Sequence, residues 1–569
     1  MLIRVRAADG TPGTWFAVRA RPGQTWAQAV YLAGIFAPPA LCSGQGRCGH
    51  CRLRLLGGDL GPAAAPSKRE VSILGLESVA QGWRLGCLRP AADGLYLELP
   101  PGTRLLPGAA PPANQAAEAP PDSLNIPAVV SGSEISLALD FGTTSLAWAV
   151  VEAAGETEAP ASLAGQMINP QMGGGSDVIS RLALAAGPTG NLVGRRGLQS
   201  LSLKALSQIL RGLSGQQVKE VVLAANPAMT YLLLGLDAAG LAAAPYRLDY
   251  RGGDTVRLPA LPGFTGPGLA VPAVPPLWIC PLISPFIGGD VSAGYAWLRY
   301  GQRAEFPFVL ADMGTNGEFI LALDENRALA ASVPLGPALE GMGMNCGALA
   351  GPDVITGFEL TADGLVPKLG PGGSGAPAGV SGTGYLSLIR HMLQLGLMDE
   401  AGHPVRFDAE DSQAVFRQAA PLSRRLAGAF GTTPEGDETA WYIDGNLYVS
   451  AGDVEEMLKV KAAFRLAIRL LLREAGLRSG ELRQLYIAGA LGVHVSPDSL
   501  TGLGFAPAAM AGRTRAAGNT SLAGAALLAG RRRLREDLLA WCGGVSTLNL
   551  AESAEFQELF AGEMHFRTD

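Results

Sequence analysis

Three cysteines fall inside a single ten-residue run. Cys42, Cys48 and Cys51 occupy CSGQGRCGHC, and Cys87 follows in RLGCLRP after 35 intervening residues. Thiolates are soft ligands that suit iron–sulfur clusters and zinc. Gly44, Gly46 and Gly49 permit the dihedrals with which so short a backbone closes around a centre, and they leave amides free to hydrogen-bond to sulfur. A structural zinc site is more usually built from paired CxxC knuckles, and on spacing alone both chemistries stay open. His50 reads as a solvated rim residue rather than a ligand. The isolated Cys280, Cys346 and Cys542 read as small core residues.

A second chemistry is written twice. LALDFGTTS ends a strand at Leu139 and then offers Asp140, Gly142, Thr143, Thr144 and Ser145. VLADMGTNGEFIL ends one at Ala311 and offers Asp312, Gly314, Thr315, Asn316 and Gly317. Each predicts a hairpin with a carboxylate at its base and a turn whose amides and hydroxyls can grip a phosphate, glycine letting the backbone come close. One Asp-Gly turn is ordinary, and either aspartate could merely cap its turn. The recurrence of the whole design is what carries weight. LYIAGALGVHV then runs a strand into Gly489 and Gly492, which suits approach to a nucleobase or ribose. Other Gly-rich pieces, around Asp290, Glu340, and Gly382 with Gly384, and also Asn226 in ANPAMTY, are either close-packed turns and helix starts or direct nucleotide contacts. GxxxxGK[ST] is absent, which disfavours a Walker-type ATPase.

The elements that must hold these residues can be sketched from periodicity. Residues 1–99 form a small α+β unit: a strand from Leu2 to Val5, a helical stretch from Thr25 to Ile35, a strand from Cys51 to Leu55, and another from Gly94 to Leu99. Residues 100–133, rich in Pro and Ala, read as a semi-rigid tether. Beyond it strands and amphipathic helices alternate, which argues for α/β layers in two lobes, 134–285 and 286–569. Strands are expected at Ile135–Leu139, Trp148–Val151, Glu220–Ala225, Phe308–Ala311, Phe319–Leu323 and Leu485–Ala488. The clearest helix places Met457, Val460, Phe464, Ile468 and Leu471 on one face, with Asp453 as its expected N-cap and Gly476 as its stop.

Composition removes several classes. At 569 residues the chain is too long for one core, and 48% apolar against 17% charged residues fits a folded globular protein. A net charge of −6 argues against a nucleic-acid partner. The uncharged run from Leu258 to Gly289 is broken by eight prolines, so no membrane helix is expected there. With no secretory signal at Met1 and an odd number of cysteines, seven, a cytoplasmic protein with metal or redox chemistry is expected.

The cysteine pattern resembles a ferredoxin-type [2Fe–2S] domain of β-grasp fold, in the variant with five rather than four residues between the first two cysteines. The paired hairpins with LYIAGALG resemble the acetate kinase, sugar kinase, heat-shock-70 and actin superfamily, whose two ribonuclease-H-like lobes close on Mg-ATP. By position, Asp140, Gly142, Thr143 and Thr144 match its first phosphate loop, Asp312, Gly314, Thr315, Asn316 and Gly317 the second, and Gly489 and Gly492 its adenosine turn. Ala490 stands where relatives often carry a second glycine. In order along the chain, LDFGTTS, DMGTNGEF, GPALEGMGM, GTGYLSLI, YIAGALG and GNTSLAGA resemble the reductive activators of corrinoid proteins. That resemblance implies ATP-dependent, one-electron reduction of cob(II)amide to cob(I)amide through a cluster on Cys42, Cys48, Cys51 and Cys87. Asp140 and Asp312 would hold Mg2+ or orient the attacking water. The implied partners are a corrinoid protein or corrinoid methyltransferase subunit and an unidentified low-potential electron donor, and a homodimer is allowed. Alternatives are an ATP-driven donor to another low-potential metalloenzyme and a redox-sensing ATP switch; a sugar kinase is weakest, having no need of a cluster.

Overall fold

The computed structural model describes residues 1–7, 15–39, 41, 44, 46, 48–58, 65–106, 134–152, 163–186, 192–213, 216–257, 275–314, 316–362, 364–405, 429–434, 436, 438–444, 447–489, 495–550 and 553–567. Most of the expected tether, and Cys42, Thr315, Ala490 and Gly492, lie outside them. The chain divides into two compact units, Met1–Ala293 with Ser521–Leu539, and Gly294–Thr520 with Ala540–Asp569.

The first unit opens with β1 (Leu2–Ala7), β2 (Phe16–Arg19), β3 (Arg52–Gly57), β4 (Trp83–Leu85) and β5 (Tyr96–Leu99) in one sheet of order β2-β1-β5-β3-β4. β1 pairs parallel to β5 and every other neighbour is antiparallel, the arrangement expected of a β-grasp fold. The helix Trp26–Leu32 starts where Thr25 and Gln28 form a reciprocal cap. It stops short of the anticipated Ile35 because Gly34 takes φ 68. Trp26, Val30, Leu53 and Leu97 from sheet and helix share one core. Periodicity did not anticipate β2, β4 or the helix Lys68–Ala80, whose face is only weakly apolar.

The remainder of this unit is a six-stranded sheet of order β10-β11-β9-β6-β7-β8, built from β6 (Glu134–Phe141), β7 (Ser145–Glu152), β8 (Leu163–Ile168), β9 (Gln217–Ala224), β10 (Thr255–Val256) and β11 (Leu277–Ile279). β6, β7 and β8 form an antiparallel meander, and β9 and β11 continue parallel to β6. Leu137 and Val221 on one face and their neighbours Ala138 and Val222 on the other are all fully buried, as strands covered on both faces require.

The second unit repeats the plan. β12 (Phe308–Met313), β13 (Asn316–Ala322) and β14 (Ala328–Pro334) form the meander. Two small sheets follow, β15 (Ile355–Thr361) with β16 (Gly364–Leu369), and β17 (Phe430–Thr432) with β18 (Thr439–Asp444) and β19 (Leu447–Ser450). β20 (Gln484–Ala488) and β21 (Thr514–Gly518) extend the main sheet parallel to β12, and β22 (Ser546–Leu548) pairs with β14. The helix Ala451–Glu474 buries Met457, Val460, Phe464, Ile468 and Leu471 as its period requires. Its cap is Ser450 and not Asp453. Asp453 is the third helical residue and reaches back to the Ser450 amide at 2.9 Å, so the box lies three positions earlier than expected. Gly476 follows the C-cap with φ 66, as a stop should.

Candidate functional site

Gly86 sets the spacing of the two sulfurs that the chain brings closest. Its amide donates to the Cys51 carbonyl at 2.9 Å, and a Cβ at position 86 would meet that same oxygen at 2.8 Å. Only a glycine there lets the short turn Gly86–Leu88 lie against the start of β3. The Cys51 thiol consequently donates to Cys87 Sγ at 3.2 Å. That is far beyond a disulfide's ~2.05 Å, and close to the ~3.7 Å between two sulfurs bound tetrahedrally at about 2.3 Å from one metal. The hydrogen bond to Cys87 and then burial hold the Cys51 thiol far above its ordinary range, so a metal must displace protons to bind there.

Cys48 joins Cys51 and Cys87 on the wall of one cavity of about 270 Å³. Cys42 lies outside the described residues. Among the described residues no group of three or more His, Cys, Asp or Glu side chains is placed to hold a single ion. A binuclear cluster asks for something else, four thiolates shared over two irons, and three thiols, those of Cys48, Cys51 and Cys87, face this one cavity. Outer contacts fix their supports. Arg69 Nε donates to the Gly46 carbonyl at 3.0 Å, pinning the cysteine loop. Glu70 is fully buried, ion-pairs with Arg89, and accepts the Leu85 amide at 3.0 Å, which anchors both sides of Cys87. Burial alone would raise the Glu70 carboxyl, but the bonds from Arg89, Ser67 and Leu85 outweigh it and hold it below the ordinary value.

In the same unit, β6 and β7 form the first predicted hairpin, with Asp140 opposite Ala147 and Gly142, Thr143 and Thr144 in the turn. A Cβ on Gly142 would stand 2.7 Å from the Ser145 carbonyl, so the turn admits glycine alone. The turn is held from behind. Asn169 Nδ2 donates to the Gly142 carbonyl at 2.7 Å, Arg181 Nη2 to that of Thr143 at 2.6 Å, and the Asn169 amide to that of Thr144 at 2.9 Å. Asn226 Nδ2 donates to Thr143 Oγ1 at 3.0 Å while its Oδ1 caps the helix Pro227–Leu234. Gly288 lets Asp290 close in: a Cβ there would lie 2.4 Å from Asn226 Cα and 2.7 Å from Asp290 Oδ1. Desolvation pushes the Asp290 carboxyl up to about 6 against the backbone bonds it accepts.

The second hairpin, β12 to β13, sets Asp312 opposite Glu318 on one side and, through the parallel pairing, opposite Ala488 at the end of β20 on the other. Gly489 follows with φ 85, and a Cβ on it would stand 2.4 Å from Asp312 Oδ1. The aspartate of the second expected phosphate loop and the expected adenosine glycine are therefore packed together, 177 positions apart in sequence. Gly317 is glycine for packing, since a Cβ would meet Leu335 at 2.8 Å, whereas Gly314 has space around it. Ser381 caps the helix Gly382–Gln394 by accepting the Gly384 amide at 3.2 Å, so Gly382 and Gly384 sit in a helix N-terminus. Glu340 ends the short turn Pro337–Glu340.

Residues 135–300 match the RACo middle region, and residues 307–569 match the C-terminal domain of RACo, the ASKHA domain. Over these residues the chain belongs to the RACo family. The corrinoid activation enzyme RamQ of Eubacterium limosum is 25% identical over 411 residues, covering 69% of this chain and 63% of that one. The [Co(II) methylated amine-specific corrinoid protein] reductase of Methanosarcina barkeri is 27% identical over 301 residues, 51% of each chain. The chain thus spans between about half and two thirds of these curated relatives. The solved reductive activator for corrinoid, iron–sulfur protein superposes over 100% of this chain and 99% of its own with a TM-score of 0.63 at 19% identity, which shows a shared fold.

Sequence reasoning named the hairpins, their aspartates and Gly489. It missed Asn169, Arg181, Glu70 and Arg89. A lone arginine in the otherwise apolar stretch VISRLALAA was the one visible signal for Arg181, since a buried cation needs acceptors.

Proposed function

We propose that this RACo-family chain is an ATP-dependent reductive activator of a corrinoid protein, reducing an inactive cob(II)amide to cob(I)amide by one electron. The observation that carries the reading is the cavity shared by Cys48, Cys51 and Cys87, in a chain whose other residues match the RACo middle and ASKHA regions. Cys42, Cys48, Cys51 and Cys87 are the proposed ligands. A [2Fe–2S] cluster bound there supplies a one-electron carrier near about −400 mV. Cobalt gains one electron, Co(II) to Co(I), and an external low-potential donor loses it. Because the acceptor is harder still to reduce, the step draws on ATP hydrolysis, water attacking the terminal phosphorus to release ADP and phosphate. The turn amides and hydroxyls of Gly142, Thr143 and Thr144, and of Gly314, Thr315, Asn316 and Gly317, bind phosphate oxygens. Asp140 and Asp312 hold Mg2+ through water or orient the attacking water. Gly489 and Gly492 admit the adenosine.

The test is chemical analysis followed by turnover. After anaerobic reconstitution the protein should contain two irons and two acid-labile sulfides per chain, and a purified corrinoid protein should stimulate its ATP hydrolysis. Zinc in place of iron, or ATP hydrolysis indifferent to the corrinoid protein, overturns the reading.

A further inference from the structure

Residues 169–181 belong to two places at once. On one side, Gly173, Gly174 and Gly175 form the wall of the cavity onto which Cys48, Cys51 and Cys87 open. The packing there is tight: a Cβ on Gly173 would stand 2.6 Å from Tyr31 Cβ, and one on Gly174 would stand 2.9 Å from Leu198 and 3.3 Å from Leu32. Tyr31 and Leu32 come from the helix Trp26–Leu32, so this glycine run is where the cysteine-bearing sheet's helix meets the next layer.

On the other side, the same segment holds the phosphate turn. The carbonyls of Gly142, Thr143 and Thr144 all accept from Asn169 or Arg181, at 2.7, 2.6 and 2.9 Å. Asn169 also caps the glycine turn by accepting the Gln171 amide at 2.9 Å, and Arg181 Nε donates to the Gly175 carbonyl at 2.8 Å. The Arg181 side chain therefore has one bond to the phosphate turn and one to the wall residue Gly175, and the Asn169 side chain has one to the phosphate turn and one to Gln171, in the short turn Pro170–Gly174 that leads into the wall. Both residues are fully buried, so neither set of bonds is exchanged with water at low cost.

A peptide unit is planar and stiff, so the amide that grips a phosphate and the carbonyl across the same C–N bond turn together. Drawing the amides of Thr143, Thr144 and Ser145 toward a phosphate must rotate the carbonyls of Gly142, Thr143 and Thr144, the three that Asn169 and Arg181 hold. A guanidinium presents its donors in a rigid fork, so a displaced Thr143 carbonyl is passed to the Gly175 carbonyl rather than absorbed. The wall's backbone dipoles and the solvent access it controls are two of the levers on a cluster's potential.

We propose that Asn169 and Arg181 are positioning residues that couple the phosphate turn 142–144 to the glycine wall of the cysteine cavity, so that nucleotide on the turn changes the reduction potential of the cluster. The inference rests on the proposed function. Linkage makes it reciprocal: nucleotide affinity must change on cluster reduction by the same factor, each tenfold being about 59 mV for one electron.

The experiment uses the reconstituted full chain. The dissociation constant of Mg-ADP is measured on oxidised and on reduced protein, and the midpoint potential is measured with and without Mg-ADP. A ratio of about fivefold or more is expected for the native protein, the usual lower range for coupled sites, with the matching displacement of potential. Arg181→Lys keeps the charge but cannot hold both carbonyls in one plane, and Gly173→Ala wedges the wall away from Tyr31. Both should bring the ratio toward one while the iron content stays at the native value. Deuterium uptake at residues 170–175 of the native chain should fall on addition of Mg-ADP, which needs no variant to fold. A native ratio of one, unchanged uptake, or a native ratio in both variants overturns the coupling. Failure to take up iron or to bind Mg-ADP overturns the parent reading first, and is distinguishable because it is seen before any ratio is measured.

Discussion

A methyl group at position 489 would lie 2.4 Å from Asp312 Oδ1, on a backbone held at φ 85. Gly489→Ala therefore meets a steric cost of about 1–2 kcal/mol for the left-handed conformation together with displacement of the carboxylate. Mg-ATP binding should weaken at least tenfold while the iron–sulfur spectrum is unchanged; isothermal titration and visible absorption check both. Cys48→Ala should do the reverse, bleaching the visible bands of the reconstituted protein and leaving nucleotide affinity near native. Asp453 gives a pH signature. It is 3% exposed, and burial pushes its carboxyl up to about 6 despite the bonds it accepts from Ser450 and Asn345. Below the ordinary value near 3.8 the residue is neutral folded or unfolded; above 6 it is charged in both and burial opposes the charge. Between the two the folded chain binds the extra proton, so its contribution to stability falls as pH rises. Asp453→Asn should gain relative to the native protein from about pH 4 to pH 7 in paired thermal melts; a relative loss over that interval contradicts the burial account.

At the scale of elements, the helix Ala451–Glu474 shows what a cap is worth. Ser450 Oγ accepts the Asp453 amide at 3.2 Å and also the Asn345 side chain at 2.9 Å. Ser450→Ala should destabilise by about 1.5–2 kcal/mol, toward the upper end of the range for caps because the Asn345 side chain loses its nearer acceptor as well; urea denaturation of the second unit's transition is the measure. The same helix marks the limit of sequence reasoning. Its buried face was legible in a run of apolar residues at 3.6 spacing, but S-x-x-D followed by D-x-x-E offers two candidate boxes, and only packing against Asn345 selects the first. Both hairpins were legible because strand, Asp and Gly are contiguous. Asn169 and Arg181 were not, because their partners lie 27 and 38 residues away and nothing local marks a donor for a distant carbonyl. Short strands such as β11, three residues in a proline-rich run, take their pairing from β9 rather than from their own pattern.

For the whole molecule, the two six-stranded sheets follow one plan, each with an Asp-Gly hairpin between the first two strands of its meander. The first unit additionally carries Cys48, Cys51 and Cys87 on one cavity. If the chain couples nucleotide turnover to electron delivery, loss of Asp312 must separate functions that the native protein joins. Asp312→Ala should keep the iron–sulfur absorption and its reduction by dithionite, yet lose nucleotide-dependent reduction of the partner. Formation of Co(I) on a purified corrinoid protein, followed optically under anaerobic conditions with and without Mg-ATP, is the most direct measurement. The account predicts rapid appearance of the Co(I) band with the nucleotide and at least a tenfold slower one without it. Equal rates in the two conditions would contradict it.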